Sequence, residues 1–207
     1  MSEFSLSPEA VVVLFDHFDS DGVLTCLADL PEVSPMRYEM YSAEFARRGL
    51  LRGSSENDDL LVHPTLLQIV QPILTPQRLM ILETGVAKEL SFNASVHFSD
   101  SGMTAIINQG SFVRFVGFST PEQLLSLLPD IRSLLTDQLH LSYIISEGES
   151  RILHAAVYSA STCRWHIEDT LVQPDQRPEK LTSDVSTEQY AAALQAKWEG
   201  LCHVSRS

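Results

Sequence analysis

Only three cysteines occur in the 207 residues, Cys26, Cys163 and Cys202, and no pair has CxxC spacing. An odd, dispersed set builds neither a disulfide framework nor a thiolate zinc site, so reduced thiols are expected. Glycine is sparse too. Nine scattered glycines supply no phosphate-cradling loop, and GxSxG, Walker A and GxGxxG are all absent. No apolar run approaches the about 20 residues that span a bilayer, so membrane insertion is not expected. The opening MSEFSLSPEAVVVLF lacks the basic n-region of a signal peptide, and a cytoplasmic protein is the expectation. Positive charge is the scarcest commodity: 14 basic residues face 27 acidic ones, and none precedes Arg37. A chain of net charge −13 is repelled by phosphate backbones, which argues against nucleic acid as a partner.

What is present reads as helices, then strands, then a helix, then strands, then a helix. Ser7-Pro8-Glu9 and Ser34-Pro35 each combine a capping residue with proline at the first helical position. The first predicts a helix through Phe18. The second predicts one over Met36–Arg48, with Met36, Met40, Ala43 and Phe45 near helical spacing and Gly49 just past its end. His63-Pro64 opens a short helix that Pro72 is expected to end or kink. Lys88–Phe98 alternates, with Leu90, Phe92, Ala94, Val96 and Phe98 on one face and Ser91, Asn93, Ser95 and His97 on the other, as in a half-buried strand. Arg78–Glu83, Met103–Ile107 and Ser111–Phe118 complete a meander, and Thr120-Pro121-Glu122 starts a helix interrupted by Pro129. Beyond it, His140–Ser146, Arg151–Ser159 and Cys163–Thr170 read as strands, Gln173–Ser183 as a loop, and Ser186–Leu201 as an amphipathic helix. The class is α+β: a central, mostly antiparallel sheet flanked by helices. A single domain over 1–207 is expected, with a helical part at 7–75, sheet and helix at 78–135, and a second hairpin and terminal helix at 140–201.

The chemistry-bearing residues resolve into no catalytic constellation. Asp16–Gly22 looks like a calcium loop, but placing Gly22 at its sixth position puts His17 first and Ala28 twelfth, where oxygen ligands are required. None of the seven histidines forms HExxH, HxH or a His-x3-His pair, so no metal is expected. Whether His97 and His154 approach each other across a sheet is left open by the sequence. Residues three apart on a strand face opposite ways, which separates Cys163 from His166 as nucleophile and base. No catalytic residue and no cofactor is therefore predicted. The segment 35–62 has the outline of a winged helix, and a DNA-binding regulator with a β-rich ligand or dimerisation part is the alternative function. Yet Arg37, Arg47, Arg48 and Arg52 there are outnumbered by Glu39, Glu44, Glu56, Asp58 and Asp59.

The order Ser7-Pro8-Glu9, Ala43-x-x-x-Arg47-Arg48-Gly49-Leu50-Leu51, Leu60 to Leu67 through His63-Pro64, and Leu74-Thr75-Pro76 is followed by a strand meander and Pro121–Leu135. Over residues 6–135 this pattern resembles the EspG family, the cytosolic chaperones of type VII (ESX) secretion; His63-Pro64 stands where many relatives carry Asp-Pro. The resemblance implies a non-enzymatic adaptor that holds helical secretion substrates. Recognition of that kind works by apolar contact at the sheet rim and its turns. Asn108, Gln109 and Gly110, with the adjoining Phe112, are the candidate partner contact, the competing reading being that Phe112 belongs to the core.

Overall fold

Ser7 starts the first helix by accepting the amide of Ala10 on its hydroxyl, with Pro8 as the first helical residue. The computed structural model in which this is seen describes residues 2–18, 31–53, 60–86, 89–109, 111–118, 120, 123 and 135–203. Helix α1 (Pro8–Asp16) is followed by α2 (Pro35–Arg47) and α3 (Pro64–Leu74), where the His63 Nδ1 accepts the Thr65 amide as cap. α3 runs two residues beyond Pro72, contrary to expectation. Pro72 has no amide to give the Gln68 carbonyl, and the helix ends two residues later, within the same turn.

The strands are β1 (Ser2–Leu6), β2 (Leu51–Gly53), β3 (Leu60–Val62), β4 (Arg78–Val86), β5 (Glu89–Ser99), β6 (Gly102–Asn108) and β7 (Val113–Phe118), then β8 (Leu139–Glu147), β9 (Ser150–Ser159), β10 (Arg164–Val172) and β11 (Glu179–Ser186). Helix α4 (Thr187–His203) follows. β2 and β3 pair alone; the other nine form one antiparallel sheet in the order β1-β7-β6-β5-β4-β8-β9-β10-β11. The fold is α+β, as expected. Two meanders, β4 to β7 and β8 to β11, meet where Arg78 faces Glu147, Leu82 faces Tyr143 and Val86 faces Leu139. The strands therefore repeat outward from the β4–β8 junction, giving the sheet two related halves.

Helices cover the two halves on opposite faces. On one face Val11, Leu14, Ile69, Val70 and Ile73 of α1 and α3 pack on Ile106, Val113 and Phe115. On the other, Tyr190, Leu194 and Trp198 of α4 share a core with Leu141, Tyr158 and Trp165. β5 is not half-buried as its alternation predicts: Ser95 and His97 are buried alongside Ala94, Val96 and Phe98, because α3 lies over their face. The hydroxyl of Thr104 donates to the Ile69 carbonyl across 2.7 Å, and Gly117 lies so close to α3 that an added Cβ would stand 3.1 Å from Ile69.

Two strands of the large sheet escaped the sequence reading, as did β2. Ser2–Leu6 pairs with β7, and Glu179–Ser186, which begins inside the predicted loop Gln173–Ser183 and runs to the predicted start of the last helix, pairs with β10 over its whole length. Helix α2 also departs from expectation. It docks through Tyr38, Tyr41 and Phe45, leaving Met36 and Met40 78% and 55% exposed. The predicted helix from Thr120 and the acidic turn at Asp19–Gly22 lie outside the described residues.

Phe115 is the test of this packing. Fully buried, its ring stacks on Phe4 at 4.7 Å and on Phe15 at 5.9 Å, linking β1, β7 and α1. Phe115→Ala is expected to destabilise the fold by about 3–5 kcal/mol in urea unfolding, as for other buried aromatics.

Candidate functional site

The predicted contact turn joins β6 to β7. Asn108 closes β6 opposite Asn93 on one side and Val113 on the other, and the Gln109 amide donates to the Phe112 carbonyl at 3.0 Å. Phe112 is 42% exposed, so its ring is a surface feature rather than part of the core. Gly110 lies outside the described residues. The turn is therefore an exposed aromatic on a backbone-bonded rim.

A broader apolar surface went unread in the sequence. Beyond β5, the face that carries α1 and α3 has no helix over β8 and β9 among the described residues. Ile81, Ile144 and Leu153 stand directly opposite one another across β4, β8 and β9. Ile144, Leu153 and nearby Val157 are exposed. The sequence reading placed them on strands but assigned them no face. Which side would be left bare depends on where the helices settle, and that is set by tertiary packing.

The opposite face of the outer strands holds a polar cluster inside an apolar cleft. His154 on β9 is buried, its Nδ1 2.7 Å from Asp169 Oδ1 on β10 and its Nε2 2.7 Å from the Tyr190 hydroxyl on α4. A carboxylate only accepts, so Nδ1 carries the proton, and the neutral ring accepts the Tyr190 O–H on Nε2. Its plane lies between Tyr143 and Tyr190, 4.2 and 5.7 Å away between centroids. Burial pushes the His154 pKa down, with the Asp169 hydrogen bond opposing, and burial also raises the Tyr143 and Tyr190 hydroxyls. The two hydrogen bonds of His154 tie β9, β10 and α4 together. This trio does not prime a nucleophile: a tyrosine raised this far stays protonated. Around it opens a cleft of about 470 Å³ between β11 and α4, walled by Ile152, Ile167, Leu171, Leu181 and Val185.

His97 lies on the other face of the sheet, under α3, so the two histidines do not meet. Its Nε2 is 3.0 Å from Ser95 Oγ, its Nδ1 is buried without a partner, and burial lowers its pKa to about 4. Cys163 sits in the β9–β10 turn, exposed, at φ +52°. Three arginines of the winged-helix segment are engaged, the Arg52 side chain lying outside the described residues: Arg37 with Glu9, and Arg47 and Arg48 both with Glu44, at 2.7 and 2.6 Å. Their carboxylate partner, Glu44, is held down to about 2 by these two hydrogen bonds.

No protein-family model matches the chain, and no curated protein matches its sequence. Among solved structures, its fold is similar to that of the Mycobacterium tuberculosis type VII secretion system chaperone EspG5, determined in complex with the PE25–PPE41 dimer. The TM-score is 0.57 at 8% identity, over 94% of this chain and 95% of that one. At that identity the likeness is one of fold, and the fold is the one that the sequence resemblance implies.

Both buried histidines must charge when the protein unfolds in acid. The unfolded side chain titrates near 6.5 and native His97 near 4, so between these values the unfolded state binds more protons. Stability is then complete above about pH 6.5 and falls as the pH drops toward 4, by about 3 kcal/mol from His97. Urea unfolding of His97→Gln across this window is expected to show a flatter pH dependence than the parent. Parallel curves would contradict the assignment.

Proposed function

We propose that this protein is a non-enzymatic chaperone or adaptor that binds a helical protein partner, in the manner of the cytosolic type VII secretion chaperones. The observation that carries this reading is the fold shared over nearly its whole length with a chaperone whose structure holds its protein partner. The surface chemistry supports it. Phe112 at the β6–β7 rim and the exposed Ile144, Leu153 and Val157 offer apolar contact, which suits the apolar stripe of a helix. The Asp169–His154–Tyr190 trio is read as structural, since its two hydrogen bonds tie β9, β10 and α4 together.

The contact is assigned to Asn108, Gln109, Gly110 and Phe112, with Phe112 as the anchor. For the DNA-binding alternative, α2 would have to present free arginines, and its three are spent on Glu9 and Glu44.

Affinity capture from the native host followed by mass spectrometry tests the proposal. Small helical secreted proteins are expected with the parent chain, and Phe112→Asp is expected to lose them while its melting temperature stays within about 2 °C. Equal capture by the variant would remove Phe112 from the contact. Salt-sensitive retention on heparin would instead favour the DNA-binding reading.

A further inference from the structure

β11 ends the sheet: it pairs with β10 along its eight residues, and no described strand lies on its other side. An edge of this length presents a row of backbone donors and acceptors to any extended chain. The chain then turns directly from Ser186 into α4, which lies across the same face, so a groove runs between the edge strand and the helix. Along it stand Leu181, Ser183 and Val185 from the strand and Gln189, Ala193 and Lys197 from the helix. Two observations mark the groove as unfilled. Leu181 is 62% exposed although its side of the strand faces the cleft, and the exposed α4 residues along it, Gln189 and Ala193, leave about 470 Å³ open. Tyr190 and Leu194 of α4 line the groove from the core, and Trp198 is buried. The trio behind the groove makes it rigid, because Tyr190 is anchored to His154 and, through it, to Asp169.

We propose that β11 is a docking strand for an extended peptide segment, which adds to the sheet edge and sends alternate side chains into the groove beside α4. Backbone pairing would supply affinity and the groove would select side chains. The groove also sets the chemistry. Leu181 and Val185 call for apolar residues two apart. At the end near Glu179 the cleft holds two carboxylates, Asp169 and Glu179, against the single ammonium of Lys197, and Asp184 lies on the strand's other face. In a chain of net charge −13 this favours a segment with apolar alternate residues and a lysine or arginine, and it disfavours a second copy of the chain. The proposal is independent of the helical-partner reading, whose contact lies on the β6–β7 turn.

The test uses the whole chain and three acetylated, amidated octapeptides: TVKVTVTK, its acidic counterpart TVEVTVTE, and TVKVTVTK methylated at alternate backbone nitrogens. Binding is followed by titration calorimetry and by amide hydrogen exchange. Expected are saturable binding of the first peptide below about 1 mM and slowed exchange in 179–186, with binding about tenfold weaker for the other two. Leu181→Glu is expected to weaken binding by a similar factor, and Phe112→Asp to leave it unchanged. Should Leu181→Glu disturb the fold, Ala193→Trp, on an exposed position of α4, blocks the groove instead. Absence of binding at 1 mM, equal binding of the methylated peptide, or slowed exchange outside β11 would overturn the proposal. So would concentration-dependent protection of 179–186 without peptide, which would make the edge a self-association site.

Discussion

The antiparallel junction of β4 and β8 is the constraint on which the rest of the molecule depends. Without it there would be two separate antiparallel meanders, one of them extended by β1. With it, nine registered residue pairs from Arg78–Glu147 to Val86–Leu139 weld them into one sheet. The ion pair of Arg78 with Glu147, 3.0 Å apart, marks the start of the register, and Met80, Leu82, Leu141, Tyr143 and Ile145 make the seam apolar on one face. A slip of one residue would turn that set toward the opposite face, so the register is held by burial rather than by the single ion pair.

From the junction follows the diagonal arrangement of the helices. The first half is capped on one face by α1 and α3, and the second on the other face by α4. A long sheet covered in this way has polar residues in unusual places. Ser95, His97 and Thr104 lie beneath α3 and are held by local bonds or by the Ile69 carbonyl, while His154 lies beneath α4 between two tyrosines. Among the described residues it also has an apolar stretch with no helix over it, at Ile144, Leu153 and Val157. Uncovered surface of this kind is what a binding protein needs, and a site built on strands holds its shape better than one built on loops.

Local signals in the sequence carried most of the element order. Ser7-Pro8, Ser34-Pro35 and His63-Pro64 each stand where a helix begins, and Gly148, at φ +57°, lies in the turn predicted between β8 and β9. What stayed illegible was non-local. The strand Glu179–Ser186 has only Leu181 and Val185 as apolar residues and follows two prolines; it is a strand because β10 pairs with it. Ser2–Leu6 is likewise defined by β7, and by Phe4 stacking on Phe115 from the far side of the sequence. His154 reads as an unremarkable member of an alternating run, because Asp169 and Tyr190 lie 15 and 36 residues away. In α2 the spacing of Met36, Met40 and Phe45 suggested one buried stripe, but the tyrosines won the contact with α1: Tyr38 donates to Asp16 at 2.5 Å and Tyr41 to Glu9 at 3.2 Å.

The acidic charge gains a structural meaning from this arrangement. A protein with an open sheet edge, a bare apolar face and exposed Met36, Met40 and Phe112 carries several invitations to self-association. A net charge of −13 opposes each encounter between copies, at long range and before any contact forms. The same field does nothing to repel a neutral or basic partner. Excess acid therefore acts selectively: it keeps the apolar surfaces away from one another while leaving them available to other proteins. Local pairing sharpens the effect, since Arg37, Arg47, Arg48, Arg78 and Arg114 are each bound to a neighbouring glutamate. These five cations are engaged within the chain rather than presented to the acids of another copy. Such a charge balance separates binding from aggregation.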